Sequence, residues 1–259
     1  NNRRWNRINN WRKVVADLHI ISKKGKITKS DEHLIFRDIE GNETRILPSK
    51  ISQILLYDNI SITGEAFNIL AKNKIPLAIK TYNGIDNILI QYENSKNVFL
   101  RQNQYRIADN PALSLEIAKQ IVIGKIKNQL TFLQRIKRTD NLISPENEEE
   151  IVAVNELREN LKKINYCESL AALRGIEGIS SRIYFSIFGL HIKPEWAEFK
   201  NRSKNPPKSN VNAVLSFLYS LLEYEVTFAA QTKGLDVMIG TLHELYYGRN
   251  SLTYDLMEE

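Results

Sequence analysis

Over residues 16–62, polar and apolar side chains alternate in short runs broken by Gly, Asn and Asp. That period of two predicts strands: "DLHIIS", a turn at "KKGK", "HLIFRD", a turn at "GNE", "TRILP", then "ISQILLYD" and "NISIT". "GEAFNILAKN" changes period and sets Ala66, Ile69 and Leu70 on one helical face. "IPLAIKTY" and "DNILIQY" flank an Asn-Gly pair, which predicts a hairpin. From about Asn97 the spacing becomes helical throughout. Pro111 opens a helix on which Leu115, Ala118, Ile121, Val122, Lys125, Ile126, Leu130 and Leu133 recur at intervals of three and four. "SPENEEE" starts another helix, its acids favoured at the positive end of the dipole. "KPEWAEFKNRSKNPPKSN" is a loop, since Pro206-Pro207 excludes a helix. "VNAVLSFLYSLLEYEVTFAAQTKG" is a long apolar helix with Gly234 as its C-terminal stop.

Composition adds bounds. The chain has 259 residues, 42% of them hydrophobic, which suits one large domain or two smaller ones. It has no uninterrupted run of about 18 apolar residues, so no membrane span is expected. Asn1–Trp11 is polar and basic, unlike a secretory signal. The single cysteine, Cys167, excludes an internal disulfide; it reads as a small helical residue in a reducing, cytoplasmic compartment. The net charge of +6 is more than accounted for by the first thirty residues, which hold nine Lys/Arg against Asp17. The global charge is therefore a poor argument for nucleic acid. Residues 101–138 make a better one, with eight basic side chains against Asp109 and Glu116. That segment either tracks a phosphate backbone or is a solvated helix face.

Two stretches carry chemistry. In "LRGIEGISSRIYFSIFG", Glu177 sits among apolar and small residues, where a carboxylate must be paired or bind a cation. Arg174 and Arg182 lie within helical reach, and the residues alone leave both readings open. The chain closes on "GTLHELYYGRNSLTYDLMEE", with His243, Glu244, Asp255, Glu258 and Glu259. If "SLTYDLMEE" is helical, Asp255 and Glu258 share a face, Ser251 caps it, and Leu252 and Leu256 point inward. Imidazole with carboxylates is a hard donor set that favours Mg²⁺ or Mn²⁺. Arg182, Arg202 and Arg249 are candidates to hold phosphates as forks.

"GIEGISSRIYF", "FKNRSKNPPKSNVNAVLSFLYSLLEYEV" and the closing stretch occur in the order seen in the CRISPR-associated spacer-acquisition integrases, the first of the two core adaptation proteins. "NVFLRQNQYRIAD" with "AKQIVIGKIKNQ" is similar to the start of that family's helical domain. The resemblance covers about residues 15–259. It implies an α+β protein: a β-rich, β-sandwich-like dimerisation domain over 15–97, then an all-helical catalytic domain over 98–259, with 1–14 a basic linker or extension. It implies a metal-dependent DNA integrase and endonuclease of CRISPR antiviral defense. Such enzymes insert a double-stranded DNA prespacer into leader–repeat DNA by 3′-hydroxyl transesterification. The implied partners are a second copy, to form a homodimer, and a dimer of CRISPR-associated protein two. Some relatives are fused behind a reverse transcriptase, and "NNRRWNRINNWRKVV" suits a linker there. The family's metal ligands fall on Glu177, His243 and Glu258. Asp255 matches the remaining acidic position and supports the site or shares ligation. Arg182, Arg202, Asn212, Arg249 and Ser251 match positions near the DNA or around the metal. The chain departs from the family in having Ser181 for Ala and Asn210 for Asp. Two alternatives remain: a transposon-encoded integrase of the same superfamily (a casposase), and a non-catalytic DNA-binding scaffold.

Overall fold

The computed structural model describes residues 16–80, 87–90, 97–140 and 148–259, which fall into two compact units, Asn1–Asn94 and Ser95–Glu259. The first carries strands and one α-helix; the second is helical, so the chain is a mixed α+β protein. The 1–14 extension, the Asn-Gly turn at 83–84 and the side chains of Lys137 and Arg138 lie outside the described residues.

The first unit is built on β1 (Ala16–Ser30), β2 (His33–Asp38), β3 (Glu43–Ile46), β4 (Ile51–Ile62), β5 (Leu77–Lys80) and β6 (Asn87–Ile90). Among the described residues these pair in the order β3-β2-β1-β4-β5-β6 as one six-stranded ladder. β1 pairs antiparallel with β2, as alternation around a turn predicts, but parallel with β4. Parallel partners are distant in sequence, so local patterning cannot reveal them. Helix α1 (Gly64–Lys72) makes the crossover between the parallel strands β4 and β5. The Thr63 hydroxyl caps it by accepting from the Ala66 N–H, and Ala66, Ile69 and Leu70 are buried as expected. They pack with Ile20, Ile27, Leu34, Ile54 and Leu77.

Two segments differ from expectation. "KKGK" is no turn: β1 runs straight through it, and Gly25 pairs with both Asp38 and Ile60. Glycine is needed there because the Phe36 ring crosses over it; a Cβ would meet that ring at 2.4 Å. Likewise "ISQILLYD" and "NISIT" are one continuous strand.

The second unit holds α2 (Val98–Ala108), α3 (Pro111–Asp140), α4 (Glu148–Ile164), α5 (Leu170–Leu190), α6 (Asn210–Lys233) and α7 (Ser251–Met257). Pro111 opens α3, with the Asn110 side chain accepting from the N–H groups of Ala112 and Leu113. The predicted stripe of α3, from Ala118 to Leu133, packs against Ala153, Leu157 and Ile164 of α4 and Leu173 and Ile187 of α5. Cys167 is buried in the same core. Inside this apolar layer, Asn160 Nδ2 donates to Ser180 Oγ at 3.1 Å, which fixes the register of α4 on α5.

Helix α6 ends at Gly234 with φ +85°, as predicted. By length and composition it is apolar enough to cross a membrane, with a mean hydropathy of 1.3, a property that a search for unbroken apolar runs does not detect. One side of it meets α7: Thr227 hydrogen-bonds Thr253, and Tyr254 OH donates to Glu223.

Replacing Gly25 with Ala should lower the unfolding free energy by about 1–3 kcal/mol, because the ring above it has to move. Chemical denaturation checks this. Combining the change with Phe36→Leu should recover part of the loss.

Candidate metal and nuclease site

The site is assembled from α3, α5, α7 and the loop before α7. Glu177 lies on the inward stripe of α5, between buried Leu173 and Ser180. Lys125 lies on the facing stripe of α3, between buried Val122 and Ile126. Each is a charge on an otherwise apolar seam, and they meet: Lys125 Nζ donates to Glu177 Oε1. The same ammonium contacts Glu258 Oε2. Glu177 is therefore paired, but by neither arginine within its helical reach. Arg174 donates instead to the Leu242 carbonyl (2.8 Å) and to Glu244. Arg182 stands exposed on α5.

Burial pushes the Glu177 carboxyl up, yet Lys125, the Ser181 hydroxyl and His243 together outweigh it and hold the group below the usual glutamate value. Burial likewise disfavours the Lys125 ammonium, and Glu258 and Glu177 overcome this, raising it above the usual lysine value. Glu177 and Lys125 are therefore both charged at neutral pH.

The loop carrying His243 is organised by Asp255. This carboxylate is 0% exposed. It accepts from the backbone N–H groups of Thr241, Leu242 (2.9 Å) and His243 (2.8 Å). His243 Nδ1 also lies 2.8 Å from Asp255 Oδ1. A carboxylate only accepts, so Nδ1–H donates to Asp255 and Nε2 is turned away from it. Nε2 faces Glu258, at 3.9 Å from Oε1. Close approach requires Gly240: a Cβ there would meet Asp255 Oδ2 at 2.8 Å and the Ser251 backbone at 2.8 Å.

Helix α7 thus inverts the usual pattern. Ser251, Thr253 and Asp255 are buried, while Leu256, expected inside, is 41% exposed. Asn250, not Ser251, occupies the N-cap; Ser251 Oγ instead donates to the Glu244 carbonyl. Ser251 and Asn212 are both buried, which argues against direct DNA contact. Asn212 braces the preceding loop, accepting from Arg202 and Ser203 and donating to the Asn201 carbonyl.

His243 and Glu258 open onto a groove of about 700 Å³. Arg202, Lys204 and Arg249 line it, together with Tyr219, Tyr246, Tyr247 and Tyr254. Arg202 lies 5.3 Å over the Tyr219 ring and Arg249 5.5 Å over Tyr254, so both guanidinium planes are held against aromatic faces. The tyrosines and Lys125 went unrecognised in the sequence as site residues. "YYGR" beside the histidine and a lysine on an apolar stripe were their signals. The basic segment 101–138, shared between α2 and α3, is less free than its composition suggests: Lys119 pairs with Glu116, and Lys125 belongs to the site.

As they stand, Glu177, His243 and Glu258 do not form a ready-made ligand cage; no group of three His, Cys, Asp or Glu among the described residues does. Their donors nevertheless suit a hard divalent ion: two carboxylates converge on one cation position, with His243 Nε2 beside them. Asp255 is not such a donor, since its oxygens are committed to the loop.

The sequence profile of the family described as "CRISPR associated protein Cas1" matches residues 18–259. The chain belongs to that family. The "CRISPR-associated endonuclease Cas1" of Leptospira interrogans serogroup Icterohaemorrhagiae serovar Lai is 38% identical over 162 residues, covering 62% of this chain and 63% of the relative. A protein of the same description from Thermodesulfovibrio yellowstonii is 32% identical over 243 residues, covering 92% of this chain and 74% of the relative. Among solved structures, "Casposase bound to integration product" aligns with a TM-score of 0.74 and 25% identity, covering 94% of this chain and 69% of that one. "Cas6-RT-Cas1--Cas2 complex" aligns with a TM-score of 0.69 and 25% identity, covering 95% of this chain and 26% of that one.

Asp255→Asn should destabilise the protein by about 2–4 kcal/mol, because an amide N–H₂ turned toward backbone N–H groups leaves buried donors unpaired. Glu258→Gln, at a half-buried position with a partner that keeps Glu177, should cost less. Thermal and urea unfolding of both variants in chelator check the order.

Proposed function

We propose that this protein is a metal-dependent DNA integrase and endonuclease of CRISPR adaptation. The observation that carries this reading is the convergence of Glu177, Glu258 and Nε2 of His243 on one cation position at the edge of the basic groove. Glu177, His243 and Glu258 would hold Mg²⁺ or Mn²⁺. When bound, such an ion polarises the scissile phosphate and stabilises the charge of in-line displacement by water or a DNA 3′-hydroxyl. Asp255 keeps the His243 ring in the ligating tautomer and orientation. Arg202, Lys204 and Arg249 hold backbone phosphates, and the tyrosines offer faces for unstacked bases. Arg182, exposed on α5, adds a phosphate contact outside the groove.

The substrates on this reading are a double-stranded DNA prespacer with 3′ overhangs and CRISPR leader–repeat DNA. The partners are a second copy, joined through the strand-rich unit, and a CRISPR-associated protein two dimer. Fusion to a reverse transcriptase is supported by likeness to a chain whose complex is described as Cas6-RT-Cas1 with Cas2. The work is cytoplasmic, where a lone buried thiol stays reduced. A second reading, a transposon-encoded integrase, is favoured by the likeness to a casposase bound to its product.

The test is strand transfer with the full-length protein, its small partner, Mn²⁺, a labelled duplex with 3′ overhangs and a supercoiled plasmid bearing leader and repeat. Joining at the repeat ends is expected, and chelator should abolish it. Glu177→Ala should cut the rate at least about a thousandfold and leave DNA affinity nearly unchanged, since backbone contacts dominate binding. Wild-type rates in that variant would remove the site assignment. Joining at unrelated sequences would favour the transposon reading.

A further inference from the structure

Lys125 occupies the one position in the site where a cation is held. Its Nζ touches Glu177 Oε1 on one side and Glu258 Oε2 on the other. The two carboxylates come from elements far apart in sequence. The Lys125 ammonium is what lies between them and touches both. No other cationic side chain described near the site is spare for this. Arg174 is engaged by Glu244 and the Leu242 carbonyl, and Arg249 lies over Tyr254. An oxygen-ligated divalent ion needs its donors at about 2.0–2.2 Å, so it cannot share the space between those same oxygens with an ammonium. The lysine stem is long and rotatable, so the head group can leave while α3 stays in place.

We propose that Lys125 is a built-in counter-ion: it holds Glu177 and Glu258 together in the metal-free protein and is displaced when the divalent ion binds. The proposal rests on the metal reading above. It makes Lys125 a positioning residue whose two effects have opposite signs. It stabilises the empty site, and it competes with the ion for the filled one.

The experiment measures Mn²⁺ binding by the electron paramagnetic resonance of free Mn²⁺, and melting temperatures in chelator and in saturating Mn²⁺. The full-length wild type, Lys125→Met and Lys125→Arg are compared. Lys125→Met should melt several degrees lower in chelator and bind Mn²⁺ at least about tenfold more tightly, with a correspondingly larger rise in melting temperature on adding the ion. Lys125→Arg, which keeps the charge, should stay near wild type in chelator. Unchanged or weaker Mn²⁺ binding by Lys125→Met overturns the proposal and makes Lys125 an aid to ligation. Should Lys125→Met not fold in chelator, Lys125→Met combined with Glu258→Gln takes away one of the two facing carboxylates, restores the net charge of the intact trio and should fold there; failure to do so overturns the proposal. A wild type that binds no Mn²⁺ overturns the metal reading itself. That result differs from a wild type that binds and a variant that gains nothing.

Discussion

The site depends first on a carboxylate whose oxygens are taken up by the loop before α7. Asp255 is fully buried and gathers three successive backbone N–H groups and an imidazole N–H. Hydrogen bonds to an ionised acceptor are the stronger kind, and here they close a loop that has no regular structure of its own. Much else follows from that contact. Gly240 is required because the loop passes against Asp255 and Ser251 without room for a Cβ. Helix α7 turns its polar side inward because the carboxylate must point into the loop. His243 presents Nε2 because Nδ1 is engaged.

The second constraint is the pairing of two inward stripes. A lysine on α3 and a glutamate on α5 each interrupt an apolar seam, and each would be costly to bury alone. Together with Glu258 they form a half-buried cluster in which one ammonium meets both carboxylates. The contrast with Asp255 divides the labour among the acids. Asp255 is satisfied by fixed dipoles of the backbone, which cannot be exchanged. Glu177 and Glu258 are satisfied by a mobile side-chain cation, which can be. The carboxylate that braces the loop and those proposed to hold the ion thus differ in what neutralises them, although Asp255 and Glu258 lie only three residues apart at the end of one short helix.

The legibility of the chain follows the range of its interactions. Helices α1, α3 and α6 could be read because periodicity, an N-terminal proline and a C-terminal glycine are local signals. β1 could not be read through "KKGK", since the reason for Gly25 is Phe36 on the neighbouring strand. The parallel β1–β4 and β4–β5 pairings leave no local trace at all. At the site, the identities of Glu177, His243 and Glu258 came from resemblance rather than spacing. Spacing did place Asp255 and Glu258 on one face, but it could not show that the loop before α7 folds back onto only one of them. Lys125 was visible as a lysine in step with the apolar positions of α3, an anomaly whose meaning needed the facing glutamate.

The two departures from the family pattern fit this division. Ser181 Oγ donates to Glu177 Oε1 at 2.8 Å, the same oxygen that meets Lys125. An alanine there would leave the lysine as the side chain fixing that oxygen. With serine, Glu177 keeps its orientation when the ammonium moves. Asn210 donates through Nδ2 to the Trp196 carbonyl and so closes the loop before α6, a contact an aspartate could not make. Both changes strengthen bracing around the site and leave its donor set unaltered. They fit the proposed site, in which neutral hydrogen bonds do the positioning and the charges are left for exchange.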